Sequence, residues 1–210
     1  MKSTKLTNFG CLAIVLVLVG CASAPTHFYT LSVPKTAPTP PKPENLPIFI
    51  EIAPVAVPER LARPQLVVNS SGNSGTGINI LEQERWSSPF NSELRDALAS
   101  GLATRLNAID VSRSGRLKDQ ATYRIAIVLR DFVAVPGDKV QSTFGWVISR
   151  SDDGRSSTCQ VNISEPVGPS IDGLVHGVQQ SVADVTNKIA ANVKAFQATG
   201  NSFCEAGQLE

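Results

Sequence analysis

Between Tyr123 and Ile163 the chain alternates apolar and polar side chains, and this stretch limits the possible fold more than any other. Tyr123, Ile125, Ile127 and Leu129 interleave with Arg124, Ala126, Val128 and Arg130. Val140, Ser142, Phe144, Trp146 and Ile148 interleave with mostly small or polar neighbours, and Cys159, Val161 and Ile163 carry a third run. A period of two sends successive side chains to opposite faces of a strand. Val135-Pro136-Gly137-Asp138-Lys139 and Ser151-Asp152-Asp153-Gly154-Arg155 supply the turns between them. The pattern predicts a three-stranded antiparallel meander with one buried and one solvated face. Such a face must be covered, and the cover follows in sequence. From about Ser170 to Ala198, Ile171, Leu174, Val175, Val178, Val182, Val185, Ile189, Val193 and Phe196 recur at gaps of three and four, the apolar stripe of a helix. Asp172 lies in its first turn, where negative charge complements the helix dipole.

The first half supplies more strands and a second helix. His27-Phe28-Tyr29-Thr30-Leu31 reads as a short strand, and Ile48-Phe49-Ile50-Glu51-Ile52 as a buried one closed by Pro54 and Pro58. Between them, residues 34–47 hold six prolines in fourteen positions, which excludes ladder and helix alike and predicts an extended or disordered loop. Glu59 to Pro64 reads as a turn or 3₁₀ piece, and Gln65–Asn69 as a strand. Ser70 to Gly77 is rich in Gly and Ser, but no Lys-Ser/Thr follows and Ile78-Asn79-Ile80-Leu81 is strand-like. A hairpin loop therefore fits better than a phosphate cradle, which needs a helix N-terminus at that point. Ser87 or Ser88 as N-cap and Pro89 in the first turn open a helix striped by Phe90, Leu94, Ala97, Leu98, Gly101, Leu102 and Leu106. Ile109 to Ser112 follows as a short strand. The expected fold class is α+β: a mainly antiparallel sheet with two amphipathic helices packed on one face.

The N-terminus is an address. Lys2 and Lys5 precede an apolar run from Cys11 to Val19, far shorter than the roughly 20 residues that span a hydrocarbon core, so the run reads as the core of a signal peptide. It ends Leu18-Val19-Gly20-Cys21, which resembles the bacterial lipobox. In that motif the Cys thiol takes diacylglycerol, the chain is cut before it, and the new amine is acylated, typically by palmitate. Several acyl chains anchor firmly because each buried methylene contributes about 0.8 kcal/mol. Ala22 rather than Asp after the Cys implies, by resemblance to enterobacterial sorting rules, the outer membrane. The expected organisation is a signal peptide (1–20), a lipidated tether (21–26), one α+β domain (27–198) with the Pro-rich loop 34–47, and a tail (199–210).

Cleavage leaves 17 basic against 18 acidic side chains and two thiols besides Cys21, Cys159 and Cys204. In an oxidising compartment such a pair reads as a disulfide. Balanced charge argues against nucleic-acid binding through bulk electrostatics, and 6% aromatic residues against a base-stacking platform. The sequence holds no GxSxG, HExxH, Walker motif or catalytic Cys–His pair, so no enzymatic activity, metal or cofactor is expected beyond the lipid on Cys21. His27 and His176 read as surface or interface residues, and Asp152-Asp153-Gly154 lacks the spaced oxygen ligands of a calcium loop. Asn162-Ile163-Ser164 fits a glycosylation sequon formally, which means little on an exported bacterial strand.

What remains is a docking module. Arg60, Leu61, Arg63 and Pro64 lie on a Pro-bounded turn, and Arg85 and Trp86 just before a helix; Trp beside Arg is the composition of an interface anchor. Trp86 either plays that part or packs as a staple under the helix, and the sequence leaves both open. Trp146 on the meander reads as core or sheet-face packing.

Several segments together resemble a known family: the lipobox at Cys21, Phe28-Tyr29-Thr30-Leu31, the run from Val55 through Arg60 to Val67, and Glu84-Arg85-Trp86-Ser87-Ser88-Pro89-Phe90 opening a helix that ends Leu102-Ala103-Thr104-Arg105-Leu106. Their order and spacing are similar to those of the ABC-type transport auxiliary lipoprotein (PqiC/YmbA-like) family over nearly the whole mature chain. The Gly72–Gly77 stretch and the Cys159/Cys204 pair have no counterpart in that resemblance. It implies a periplasm-facing, outer-membrane lipoprotein that works with an MCE-domain protein and, through it, an inner-membrane ABC transport component in moving lipid between membranes. Self-association is compatible with it. Two other classes stay open at this level: an assembly or chaperone lipoprotein of another envelope machine, and a carrier holding lipid in its own cavity, which would need several hundred cubic ångströms.

Overall fold

The computed structural model describes residues 24–32, 47–70, 77–115 and 120–200. The signal segment, Cys21, nearly all of the Pro-rich stretch, residues 71–76 and the tail bearing Cys204 lie outside them. The described elements run β1 (His27–Tyr29), β2 (Ile48–Ile52), a 3₁₀ turn (Glu59–Leu61), β3 (Gln65–Asn69), β4 (Ile78–Trp86), α1 (Phe90–Leu106), β5 (Ala108–Asp110), β6 (Thr122–Val135), β7 (Lys139–Arg150), β8 (Ser156–Pro166) and α2 (Ile171–Thr199). Two sheets result, a large one ordered β5-β2-β6-β7-β8 and a small one ordered β1-β4-β3.

The meander forms as its alternation requires, with Ile127 opposite Trp146 and Trp146 opposite Cys159. The register of β6 slips between Leu129 and Asp131. This bulge at Arg130 restores Phe132 and Ala134 to the buried face, which strict alternation from Leu129 would have given to Asp131. α2 lies across β7 and β8, while α1 packs against α2, β5 and β2. The helices pack tightly at Gly101, where an added Cβ would stand 2.9 Å from Cγ2 of Thr186.

The antiparallel expectation holds for β3–β4, β6–β7 and β7–β8 and fails elsewhere. β2 runs parallel to both β5 and β6, and β1 parallel to β4. For β2 the reason is connectivity: α1 lies between it and both β5 and β6, and parallel neighbours need a crossover of that length. The start of α1 also differs from expectation. Pro89 occupies the N-cap with no side-chain cap bond, and the hydroxyls of Ser87 and Ser88 donate instead to Oε1 of Glu93 at 2.7 and 3.0 Å. Asn107 closes α1 in the left-handed region (φ 48°), its N–H donating to the Ala103 carbonyl. α2 opens on Ser170, whose Oγ accepts from Gly173 N–H at 3.0 Å.

The core between sheet and helices contains Ile50, Ile125, Ile148, Leu94, Leu98, Val185 and Ile189, all fully buried. Two polar pairs cross it, Ser142 with Ser181 at 2.7 Å and Trp146 Nε1 with Asn192 Oδ1 at 3.0 Å, while Asn192 Nδ2 is buried without a hydrogen-bond partner among the described residues. Trp146 is thus a core residue. Among the described residues no helix is long and apolar enough to cross a membrane.

Candidate docking site

The segment from the 3₁₀ turn into β3 is pinned at both ends by backbone bonds. Leu61 N–H donates to the Pro58 carbonyl and Ala62 N–H to that of Glu59. Two residues on, the chain braces its neighbours: Trp86 N–H donates to the Pro64 carbonyl at 2.7 Å and Phe90 N–H to that of Arg63 at 3.2 Å. With Gln65 opposite Arg85 in the β3–β4 ladder, Arg60, Leu61, Arg63, Pro64, Arg85 and Trp86 gather at one corner of the molecule, where the small sheet meets the first turn of α1.

Their side chains divide by direction. Leu61 and Trp86 point inward and are buried, Trp86 with 5% exposure. Its ring lies 5.4 Å from that of Phe90, which lies 5.6 Å from Phe132. Trp86 ends β4 on the face that turns onto α1, so it staples strand to helix, the packing alternative of the two, and Leu61, expected among the partner-binding residues, is buried as well. The arginines form the rim. Arg60 donates through Nη2 to the Phe132 carbonyl at 3.1 Å and lies 3.8 Å from Asp131. Arg85 donates through Nε to the Glu82 carbonyl at 2.9 Å. Arg63 differs: its Nε is buried and has no hydrogen-bond partner among the described residues. Beneath the rim is an apolar cleft lined by Leu61, Leu66, Trp86, Phe90, Phe132 and Val175, with a cavity volume of about 10 Å³, room for about one water.

A second cluster, which sequence reasoning missed, ties the N-terminal segment to this corner. Glu93, buried in the first turn of α1, accepts from the hydroxyls of Ser87 and Ser88 on one oxygen. On the other it accepts from Thr30 Oγ1 at 2.9 Å and Leu31 N–H at 3.1 Å. Burial pushes its pKa up, but the bonds from Ser87, Leu31, Thr30 and Ser88 outweigh this and hold it below the usual range. One strand over, Glu84 accepts from Tyr29 Oη at 2.7 Å and lies 3.0 Å from Nδ1 of His27. Burial and the Glu84 carboxylate push the Tyr29 phenol up to about 12. The available signal was an acidic residue placed in the first turn after Ser-Ser-Pro; its reach to residues 62 and 63 positions earlier carried none.

The remaining sequence candidates stay apart from the corner. His176 neighbours Gln180 on α2. Asp152 and Asp153 pair with Arg150 and Arg155 at 2.8 and 2.6 Å. Among the described residues no three His, Cys, Asp or Glu side chains gather as a metal site. Cys159 is buried on β8 beneath α2, and its expected partner Cys204 lies outside the described residues.

A sequence model for the family described as "ABC-type transport auxiliary lipoprotein component" matches residues 29–190. Among solved structures, one described as that of an uncharacterized protein is similar with a TM-score of 0.63 at 20% identity, covering 81% of this chain and 99% of its own. A protein from Xanthomonas campestris placed in family DUF330 is similar with a TM-score of 0.58 at 16% identity, covering 83% and 96%. At these identities the likeness is one of fold. No curated protein matches the chain.

Proposed function

The chain belongs to the ABC-type transport auxiliary lipoprotein family, and we propose that it is a non-catalytic docking subunit on the periplasmic face of the outer membrane. Lipid on Cys21 holds it there, and an MCE-domain protein, connected in turn to an inner-membrane transport component, docks against it. The carrying observation is the corner at Arg63. Arg60 and Arg63, both half-buried, rim a backbone-braced surface, and guanidinium groups so placed can hold an incoming carboxylate through charge-assisted bonds. Arginine is enriched in interface cores for this reason. The reading as a carrier with its own cavity finds no support in a cleft of about 10 Å³, which holds no acyl chain.

The test uses the full lipidated chain, its Cys21→Ala form and Arg63→Glu. Cys21→Ala is expected to fold normally and leave the membrane fraction, with transport lost; its retention in washed outer membranes would refute the anchor. Lipidated wild-type chain is expected to capture the MCE-domain protein and Arg63→Glu to capture it at least tenfold more weakly, about 1.4 kcal/mol or more. Equal capture by both, or by neither, would refute the docking corner.

A further inference from the structure

Five large apolar side chains stand exposed among the described residues, and three of them share the small sheet: Phe28 (66%) on β1, and Ile78 (45%) and Ile80 (39%) on β4. The other two, Ile109 and Val147, lie on the large sheet. Phe28 stands opposite Arg85, while Ile78 and Ile80 project from one face of β4 opposite Asn69 and Val67. Their neighbours in the chain do not explain this exposure, since β3, their ladder partner, has Leu66, Val67 and Val68 buried.

Direction supplies the missing term. Because β1 runs parallel to β4, the chain entering β1 comes from the Ile78 end of that strand. Its last contact before β1 is Thr26 Oγ1 donating to Oε1 of Gln83 at 2.9 Å. Gln83 is three residues from Ile80, or about 10 Å along a strand. Cys21 is five residues before Thr26 and seven before Phe28, so its Cα lies at most about 18 Å from the one and about 25 Å from the other. The described residues before β1, 24–26, therefore enter from the hairpin end of the small sheet, and an anchor five residues before Thr26 keeps the bilayer within reach of it. Charge on β4 is not basic: Glu82 and Glu84 offset Arg85. A surface of this kind gains from apolar burial at an interface and not from attraction to anionic lipid.

We propose that the small sheet rests, through Phe28 on its β1 edge and Ile78 and Ile80 on its central strand, on the bilayer that holds the anchor, with these side chains seated at the boundary between headgroups and acyl chains. The anchor then orients the domain as well as tethering it. The inference depends on lipidation of Cys21.

The experiment places single tryptophans by Phe28→Trp, Ile80→Trp and, as a control on the β5 edge strand of the large sheet, Ile109→Trp. The full lipidated chain is reconstituted in phosphatidylcholine–phosphatidylethanolamine vesicles carrying brominated acyl chains. Native Trp86 and Trp146 are buried, with 5% and 4% exposure, and give a constant background. Co-flotation with the vesicles is read in the same samples. Expected is bromolipid quenching of the Phe28→Trp and Ile80→Trp signals at least threefold greater than for Ile109→Trp, with a matching loss of iodide access. Flotation with equal quenching at all three positions would overturn the seated sheet and leave the anchor standing. Absence of flotation would overturn the anchor and, with it, this inference.

Discussion

The indole Nε1–H of Trp146, in the middle of the large sheet, donates to Oδ1 of Asn192 on α2 across 3.0 Å, and both residues are buried. This bond fixes the rotation of α2 over β7, since sliding or rolling the helix would strand a donor in the core. Asn192→Ala is expected to lower stability by about 1–3 kcal/mol, the cost of an unpaired buried donor. Asn192→Leu combined with Trp146→Phe is expected to cost less than the sum of the single changes. Urea midpoints of wild type, Asn192→Leu, Trp146→Phe and the double variant decide it; strict additivity would mean that the bond contributes nothing of its own.

Glu93 should make the fold acid-sensitive. Its folded pKa lies below the unfolded value, so its contribution is present in full above the unfolded pKa and is lost as pH falls through the folded one. Glu93→Gln is expected to cost roughly 1–3 kcal/mol at pH 7 and progressively less toward pH 3. Denaturation at several pH values checks it. A deficit that does not shrink on acidification would show that the amide loses packing rather than charge-assisted bonds.

Trp86 and Arg63 should separate folding from docking. Trp86 packs on Phe90 inside the corner, so Trp86→Ala is expected to lose about 3–5 kcal/mol of stability. Arg63→Glu acts at the rim, and its melting temperature is expected to stay within a few degrees of wild type. The two variants are compared by thermal melting alongside partner capture; a Trp86→Ala protein of undiminished stability would return that residue to the interface.

A disulfide between Cys159 and Cys204 is expected in the mature chain. α2 ends beside the start of β8: the Arg155 guanidinium lies 5.9 Å from the Phe196 ring, and Gly200 abuts Arg155. Cys204 is four residues beyond Gly200 and Cys159 four beyond Arg155, each about 14 Å at most, so the two spans can meet. Closing residues 159–204 constrains the unfolded chain by roughly 4 kcal/mol in the entropic description. Mass spectrometry after alkylation without reduction checks it. Two alkylated thiols on freshly exported protein would refute the pairing.

Legibility followed the range of the interactions. The meander and α2 could be read directly because alternation and the three–four stripe are local consequences of burial, and Gln65–Asn69 was bounded by its own turn chemistry. Parallel pairing of β1 with β4 could not be read, since partners such as His27 and Glu84 lie 57 residues apart and a three-residue strand has no register of its own. Five of the six corner residues were identifiable by type, as arginine, proline and tryptophan at turn and strand ends, and Leu61 by its place between Arg60 and Arg63. Which of them face inward was not, because Trp86 follows Glu84 and Arg85 and its burial is imposed by Phe90 and Phe132. Asn192, Ser181 and Thr186 on the buried side of α2 were invisible for the same reason: their partners are on other elements or one turn away on the backbone.

The parallel run of β1 along β4 has a mechanical meaning. Tension passed inward through Ala24 acts along the strand axis, so the bonds that join β1 to β4 are sheared together instead of being unzipped one by one. Behind them, Glu93 grips Thr30 and Leu31, and the Gln179 amide holds the Thr30 carbonyl at 2.9 Å. A domain pulled by a membrane on one side and a partner on the other would meet its first resistance in three short residues and its second in one carboxylate.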